Sequence, residues 1–290
     1  MIRKQKIVSG RLLELNYYPV YCDGRRYPSR APKTNLSTDE QARYNRKQAQ
    51  KKLIRLINTN FDNTDIFMHI TYMPICAPQS ESEARRDIVN YIRRLKTFRR
   101  RRLCELRGKE VPNKAERDEI LKLSQPLKYI YVIEKKVYKR GEFKGRDNWH
   151  FHMFISGGIS RDEMEQLWKK GTKVNARRFM PDVFGPEAAG KYLCKEPMGG
   201  KRFVCSKGLE KPRFYKPIDG KISRLKLERI AKLRVDDKEY WQKLNSGYKL
   251  IKCNSRYNVY NGHWYVSVVM YKTDEDIDSG FDIGWDEMLW

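Results

Sequence analysis

Alternating apolar patterns along the chain predict several β-strands. A tyrosine- and leucine-rich run from Ile7 to Val20 predicts the first strand, and the β-branched and aromatic segment 65–72 predicts the second. Segments 127–134 and 149–155 have the same character, and a polar loop separates them. These two segments are therefore expected to form a β-hairpin.

Apolar residues at helical spacing, preceded by capping residues, predict helices between the strands. Helices are expected over 38–58, from Ser80 past Leu95, over 160–168 and 186–195, and near 222–232 and 237–246. Further strands are expected over 172–178, 248–260 and 263–271, the last two joined by an Asn261-Gly262 turn, and residues 22–37 have the composition of a loop. The mixture predicts an α+β protein.

We divide the chain into four segments on this basis. Residues 1–60 form an N-terminal extension of hairpin plus helix, and residues 61–215 form the main domain. Residues 216–272 form a C-terminal extension of helices and a hairpin, and residues 273–290 form an acidic, aromatic tail.

Charge adds a prediction about partners. The 290 residues carry 61 Lys or Arg against 36 Asp or Glu, a formal net charge of +25, which indicates a polyanionic partner such as nucleic acid. Six of the nine residues from 94 to 102 are cationic, at the far end of the helix that begins at Ser80. We predict that Arg93, Arg94 and Arg99–Arg102 contact phosphates.

The same sequence indicates a cytosolic protein. Its six cysteines form no C-x-x-C pair, which favours free thiols in a reducing compartment over a zinc ribbon or redox site. The N-terminus lacks the apolar core of a secretory signal, and no apolar stretch approaches the roughly 20 residues that span a membrane. We therefore expect no membrane partner.

The first group of candidate catalytic residues lies in the two strands of the predicted hairpin. His150 and His152 alternate onto one face of a strand, while Phe151 points to the opposite face. Glu134 closes the partner strand of the predicted hairpin, which can bring its carboxylate opposite the imidazoles. Such a set leaves open positions on a divalent ion, and the carboxylate favours Mg²⁺ or Mn²⁺. An ordinary structural histidine pair and a charged strand end are the alternative interpretation.

Tyr192 and Lys195 form a third candidate group. They lie three residues apart in the predicted helix 186–195 and therefore share a face. A tyrosine can act as a covalent nucleophile on phosphorus when nearby cations stabilise the phenolate and the phosphate. Tyr-x-x-Lys is also a common amphipathic pattern with no catalytic meaning.

The order of these motifs resembles the HUH endonuclease superfamily, specifically the rolling-circle replication-associated (Rep) proteins of bacterial plasmids and phages. The matching segments are IFMHITY (66–72), WHFHMFI (149–155) and KYLCK (191–195), with YIRRLKTFRR, YIYVIE, LWKKG and KRFVCSKGLEKP as further similar stretches. The resemblance covers roughly residues 60–215. His69 departs from it, because the family usually has a smaller residue there, and we do not predict His69 as a ligand.

The resemblance implies an antiparallel sheet flanked by helices, of the ferredoxin-like or RRM-like type. It implies His150, His152 and Glu134 as metal ligands, Tyr192 as the nucleophile and Lys195 as its helper, with Thr71 of the first motif near the DNA. It further implies nicking of single-stranded DNA at a replication origin in the bacterial cytosol. The products would be a 5′-phosphotyrosyl intermediate and a free 3′-OH primer for host polymerase. No P-loop is present, so a host helicase would unwind the duplex.

Two other functions remain open at this point. A relaxase or transposase of the same superfamily would use related chemistry, although relaxases usually have a third histidine soon after the pair and none follows here before His263. A non-catalytic RRM-like nucleic-acid-binding protein would have no covalent step. The tail 273–290 has seven acidic residues and no basic one, so it could either occlude a basic surface or act as a solvated extension.

Overall fold

The computed structural model describes residues 1–21, 39–140, 142–171, 174–179 and 203–273. The chain separates into two compact units. One contains residues 1–33 and 212–290, and is called the terminal unit here. The other contains residues 34–211 and is called the central unit.

The described elements of the central unit are α1 (Asp39–Asn60), β3 (Ile66–Thr71), α2 (Glu81–Arg107), α3 (Lys114–Ser124), β4 (Tyr129–Val137), β5 (Asp147–Ile155), α4 (Arg161–Gln166), β6 (Val174–Arg178) and β7 (Val204–Cys205). Those of the terminal unit are β1 (Ile2–Ser9), β2 (Leu12–Pro19), β8 (Arg213–Phe214), β9 (Ile218–Asp219), α5 (Arg224–Leu233), α6 (Lys238–Leu244), β10 (Tyr248–Asn258) and β11 (His263–Lys272).

The central unit is built on a five-stranded antiparallel sheet in the order β6-β3-β5-β4-β7. Alternate residues of its strands, among them Met68 and Phe151, pack against α2 residues such as Ile88 and Leu95 in the larger core. The helix begins where the sequence predicts, because the Ser80 side chain accepts a hydrogen bond from the Glu83 amide. Ser160 caps α4 in the same way, also as predicted.

The opposite face of this sheet is covered only in part by α1. Leu53 and Ile57 of α1 pack there with Ile130, Val132 and Phe154 of β4 and β5. Glu134, His150 and His152 lie on the same face by strand alternation, farther along β4 and β5. The sheet thus carries helix α2 on one face, and α1 beside a cluster of polar side chains on the other.

The terminal unit contains a second antiparallel sheet, in the order β10-β11-β2-β1-β8, with β9 also paired to β1. Its apolar face, including Leu15 and Val268, packs against Leu227 and Ile230 of α5 and Trp241 of α6. Two antiparallel sheets flanked by helices confirm the predicted α+β class.

Several sequence predictions are corrected in detail. The run 7–20 is not one strand, because Gly10 adopts a φ of 56° and turns the chain between β1 and β2. Helix α3 was not predicted, although Asn113 and Glu116 form a capping box at its start. The predicted loop 22–37, the helix 186–195 and all but the first residue of the tail 273–290 lie outside the described residues.

The two units also divide the chain differently from the four segments predicted. The hairpin β1–β2 belongs with residues 212–290, whereas α1 belongs with the central unit. Within the described residues, no helix combines the length and apolar character needed to cross a bilayer.

Candidate metal centre

Strand β5 presents two buried imidazoles on the sheet face that α1 leaves partly uncovered. His150 and His152 are each about 3% exposed, while Phe151 between them is fully buried in the larger core on the other face. This is the alternation predicted from the H-x-H spacing. Few polar side chains are buried unless they have a binding partner, so the arrangement requires one.

Glu134 of β4 is that partner. The strand register pairs Glu134 directly with His150. Its Oε2 atom lies 2.7 Å from Nε2 of His150 and 3.1 Å from Nε2 of His152. Its other oxygen, Oε1, lies 3.1 Å from Nζ of Lys136, two residues along the same strand. Two imidazole nitrogens thus converge on one carboxylate oxygen.

A third imidazole comes from β3. His69 pairs with His152 in the register of β3 and β5, and the two rings stack with centroids 4.6 Å apart and planes 4° from parallel. Candidate ligand atoms of His69, His150 and His152 all lie within 4.8 Å of one another. The buried Nε2 atom of His69 has no hydrogen-bond partner in the described part of the chain.

Sequence reasoning did not include His69 among the ligands. Its alternation with Thr71 fixes the face on which it lies, but pairing of β3 with β5 brings residues 83 positions apart together. The signal available in the sequence was numerical: three of only four histidines fall in just two predicted strands, 65–72 and 149–155.

The electrostatics of the centre favour neutral His69 and His152 beside an ionised Glu134. Burial, reinforced by the neighbouring His69, lowers the pKa of His152 to about 4. Burial and the nearby His150 also lower the pKa of His69. Burial alone would raise the pKa of Glu134, but hydrogen bonds from Lys136, His150 and His152 hold it below its usual value. These are the protonation states in which such side chains bind metal.

The donor set fits a divalent cation. Two Nε2 atoms facing one carboxylate oxygen can hold a metal ion together with His69, whose buried Nε2 has no partner among the described residues. Imidazole is a good ligand for transition metals, whereas carboxylate oxygen also suits Mg²⁺ and Mn²⁺. The donor set does not identify the metal.

The end of β3 beside the centre is held by the segment Leu167–Gly171. Thr71 pairs with His150, and its carbonyl oxygen accepts a hydrogen bond of 2.9 Å from Nε1 of Trp168. A Cβ atom on Gly171 would lie only 2.1 Å from the same oxygen. Glycine is therefore required for this close approach, which explains the glycine of the LWKKG stretch.

The cationic helix α2 packs on the opposite face of the sheet from the histidines. Arg93 and Arg100 are exposed, as phosphate contacts require. Arg94 is half-buried, and its Nε donates to the Leu167 carbonyl at 2.9 Å. The predicted phosphate contacts of α2 thus lie on a different surface from the candidate metal centre.

Arg99 corrects the sequence prediction for this helix. It is about 5% exposed, and its guanidinium donates to the carbonyls of Gly157, Lys122, Leu123 and Gln125. A guanidinium enclosed in this way cannot reach a phosphate, so Arg99 is a structural residue. Arg102 pairs with Glu119 of α3.

Two cations do lie near the histidine cluster. Lys136 contacts Glu134 directly, and Arg177 of β6 is exposed beside Asn175, the register partner of His69. The predicted nucleophile Tyr192 and its helper Lys195 lie outside the described residues. Comparisons of the chain with protein-family models, with curated proteins and with solved structures give no match.

Proposed function

We propose that the protein is a metal-dependent endonuclease that nicks single-stranded DNA through a tyrosine nucleophile and initiates rolling-circle replication. The observation that carries the proposal is the convergence of His150 and His152 on Glu134, on one face of an antiparallel sheet. The motif order described above supports the same class of enzyme. A structural histidine pair would not need a third imidazole and a carboxylate at the same place.

His150, His152, Glu134 and His69 would hold the divalent cation, with Mg²⁺ or Mn²⁺ as the expected ions. When bound, such an ion polarises a phosphate as a Lewis acid and orients it. In the reaction we propose, the oxygen of Tyr192 forms a bond to phosphorus while the bond from phosphorus to the 3′ oxygen breaks. The phenol loses a proton and the 3′ oxygen gains one, so atoms and charge balance without an added reactant.

The substrate side of the proposal rests on charge and exposure. Lys136 and Arg177 are exposed cations at the histidine cluster and are suited to contact phosphates on either side of the cleaved bond. Lys195 would assist by stabilising the Tyr192 phenolate. A single strand fits the proposal because a backbone must lie against the buried imidazoles, which a paired duplex would obstruct.

The biological role follows from the chemistry. Transesterification leaves a 5′-phosphotyrosyl link and a free 3′-OH, and the latter is the primer that a DNA polymerase needs. The proposed partners are therefore a replication origin in single-stranded form, together with a host helicase and polymerase in the bacterial cytosol. A relaxase or transposase would use the same step on a different DNA.

The decisive experiment is a nicking assay on end-labelled single-stranded fragments that tile the replicon encoding the protein, with Mn²⁺ present. Wild type is compared with Tyr192→Phe, Glu134→Gln and a chelator-treated sample. A covalent protein–DNA adduct that survives denaturation is expected only in the sample that contains wild-type protein and metal. Tyr44→Phe is the matched control, because Tyr44 is an exposed tyrosine of α1 outside the candidate centre.

Each outcome distinguishes a different hypothesis. An adduct that persists in Tyr192→Phe would assign the nucleophile to another tyrosine. Nicking in the presence of chelator would refute the metal-dependent mechanism. Tight, salt-sensitive binding with no adduct on any fragment would favour the non-catalytic binding protein.

A further inference from the structure

The terminal unit has a surface that the nicking chemistry does not use. Its described residues include 18 Lys or Arg against 6 Asp or Glu, a net charge of +12. At one end of its sheet, α5 and the β10–β11 hairpin enclose a groove of about 590 Å³, within the usual range of ligand sites of about 300–1,000 Å³. We call it the hairpin groove, lined by Arg224, Lys232, Tyr257, His263 and Trp264 over a floor of Leu227.

Aromatic side chains that line this groove, or lie next to its lining residues, are unusually exposed. Tyr257 is 46% exposed and lies 5.2 Å from Trp264, measured between ring centroids. Tyr260, at the hairpin turn, is 96% exposed, and Tyr21, 70% exposed, lies edge-on to His263. Large exposed apolar groups that cluster on a soluble unit usually mark a binding surface.

Cations surround the same aromatic groups. Arg224 is exposed at the start of α5, and one of its nitrogens donates to the Gly262 carbonyl, which holds the guanidinium beside the hairpin turn. Lys232 is also exposed, although it pairs with Glu228 at 2.6 Å. Exposed rings with adjacent cations are the combination by which proteins hold unpaired nucleotides, with the base stacked and the phosphate paired.

We propose that the hairpin groove is a second binding site for single-stranded DNA, separate from the candidate metal centre. An unpaired base stacks on Tyr257 or Tyr260, and Arg224 contacts a neighbouring phosphate. The excess of Lys and Arg over Asp and Glu in the described residues favours an anionic ligand, and the exposed rings favour an unpaired one. The choice of DNA over RNA rests on the proposed function; the stacking and the phosphate contact do not.

The test uses the full chain and a fluorescent single strand of about 15 thymidines, a length comparable to the roughly 4–16 nucleotides that a single-strand-binding domain covers. Anisotropy is measured in EDTA, so that no metal-dependent step is required and failure of nicking does not affect the result. Tyr257→Ala/Tyr260→Ala is expected to weaken binding by about 5- to 150-fold, as the loss of one stacked base implies. Tyr44→Ala, an equally exposed tyrosine of the other unit, should bind like wild type.

An abasic strand of the same length separates stacking from charge. The double tyrosine variant should bind this strand as well as wild type does. Arg224→Ala should weaken binding to both strands and reduce the slope of log affinity against log salt by about 0.7. Lys243→Ala removes an exposed cation of α6 away from the groove and should leave that slope unchanged.

Unchanged affinity of the double tyrosine variant for the thymidine strand would overturn the proposal. An equal loss on the thymidine and abasic strands would refute stacking, and therefore the site as proposed. Tighter binding of oligo(U) than of the thymidine strand would overturn its assignment to DNA. Because Tyr257 and Tyr260 are exposed, circular dichroism is expected to show an unchanged fold in the double variant.

Discussion

Replacing Arg99 tests the structure directly against the charge pattern of the sequence. The pattern assigns Arg99 to a phosphate-binding row, whereas the structure buries it between α2, the end of α3 and the turn after β5. Arg99→Met keeps an unbranched side chain and removes the guanidinium. We expect a large loss of stability in the central unit and little direct effect on DNA binding.

The size of the stability loss follows from the four hydrogen bonds that Arg99 donates to backbone carbonyls. Those to Gly157, Gln125 and Lys122 measure 2.7, 2.9 and 3.0 Å, while the bond to Leu123, at 3.4 Å, is weak. A buried carbonyl left without a donor costs about 1–3 kcal/mol, and the three short bonds go to part-buried carbonyls, for which the lower part of that range applies. Counting the three short bonds at about 1–1.7 kcal/mol each gives about 3–5 kcal/mol.

Urea unfolding of the full chain, followed by hydrogen exchange of peptides from α2 and α3, measures this loss within the central unit. With a denaturant slope of about 2 kcal/mol/M, the midpoint should fall by about 1.5 to 2.5 M. Arg100→Met is the matched control, because Arg100 is the exposed neighbour on the same helix. Its effect on stability should stay within about 0.5 kcal/mol. Arg99→Lys should recover only part of the loss, since one ammonium cannot reach all four carbonyls.

Two results together would contradict the structural role of Arg99. These are an Arg99→Met protein whose stability lies within about 0.5 kcal/mol of wild type, and a salt slope of DNA binding that falls by about one phosphate contact. That outcome would restore Arg99 to the phosphate-binding row and require a different packing of α2 against α3.

Three further predictions concern the candidate metal centre and its support. His69→Ala should weaken Mn²⁺ binding by at least about tenfold, because loss of a residue that only orients a ligand already lowers metal affinity by that much. Calorimetry on the isolated protein measures this affinity, and an unchanged value would remove His69 from the ligand set. In chelator, stability should fall by about 3 kcal/mol as the pH drops from about 6.5 to about 4, because burial lowers the pKa of His152 to about 4, so the native state binds this proton less readily than the unfolded chain. His152→Gln should lack this part of the pH dependence, and an unaltered profile would contradict the assignment. Gly171→Ala should lower the melting temperature and the nicking rate together, because its Cβ would collide with the Thr71 carbonyl, and a normal melting temperature would show that β3 yields without cost.

Local patterns in the sequence predicted several features that depend on a short stretch of chain. Strand alternation fixed that His150 and His152 share a face, and the caps at Ser80 and Ser160 located two helix starts. Helical spacing also indicates the buried position of Arg99, because Arg99 lies four residues after the buried Leu95 and seven after the buried Ile92. The cations around it led to the incorrect prediction of a phosphate contact.

Only the tertiary structure decided which strands become neighbours. It paired β3 with β5 and so brought His69 to His152, and it joined the hairpin β1–β2 to β11, about 250 residues later in the chain. The sequence determined the face of the strand on which each side chain lies, because that face depends on backbone geometry over a few residues. Partners depend on the order and register of strands, which are set by burial of whole sheet faces and by contacts between distant segments.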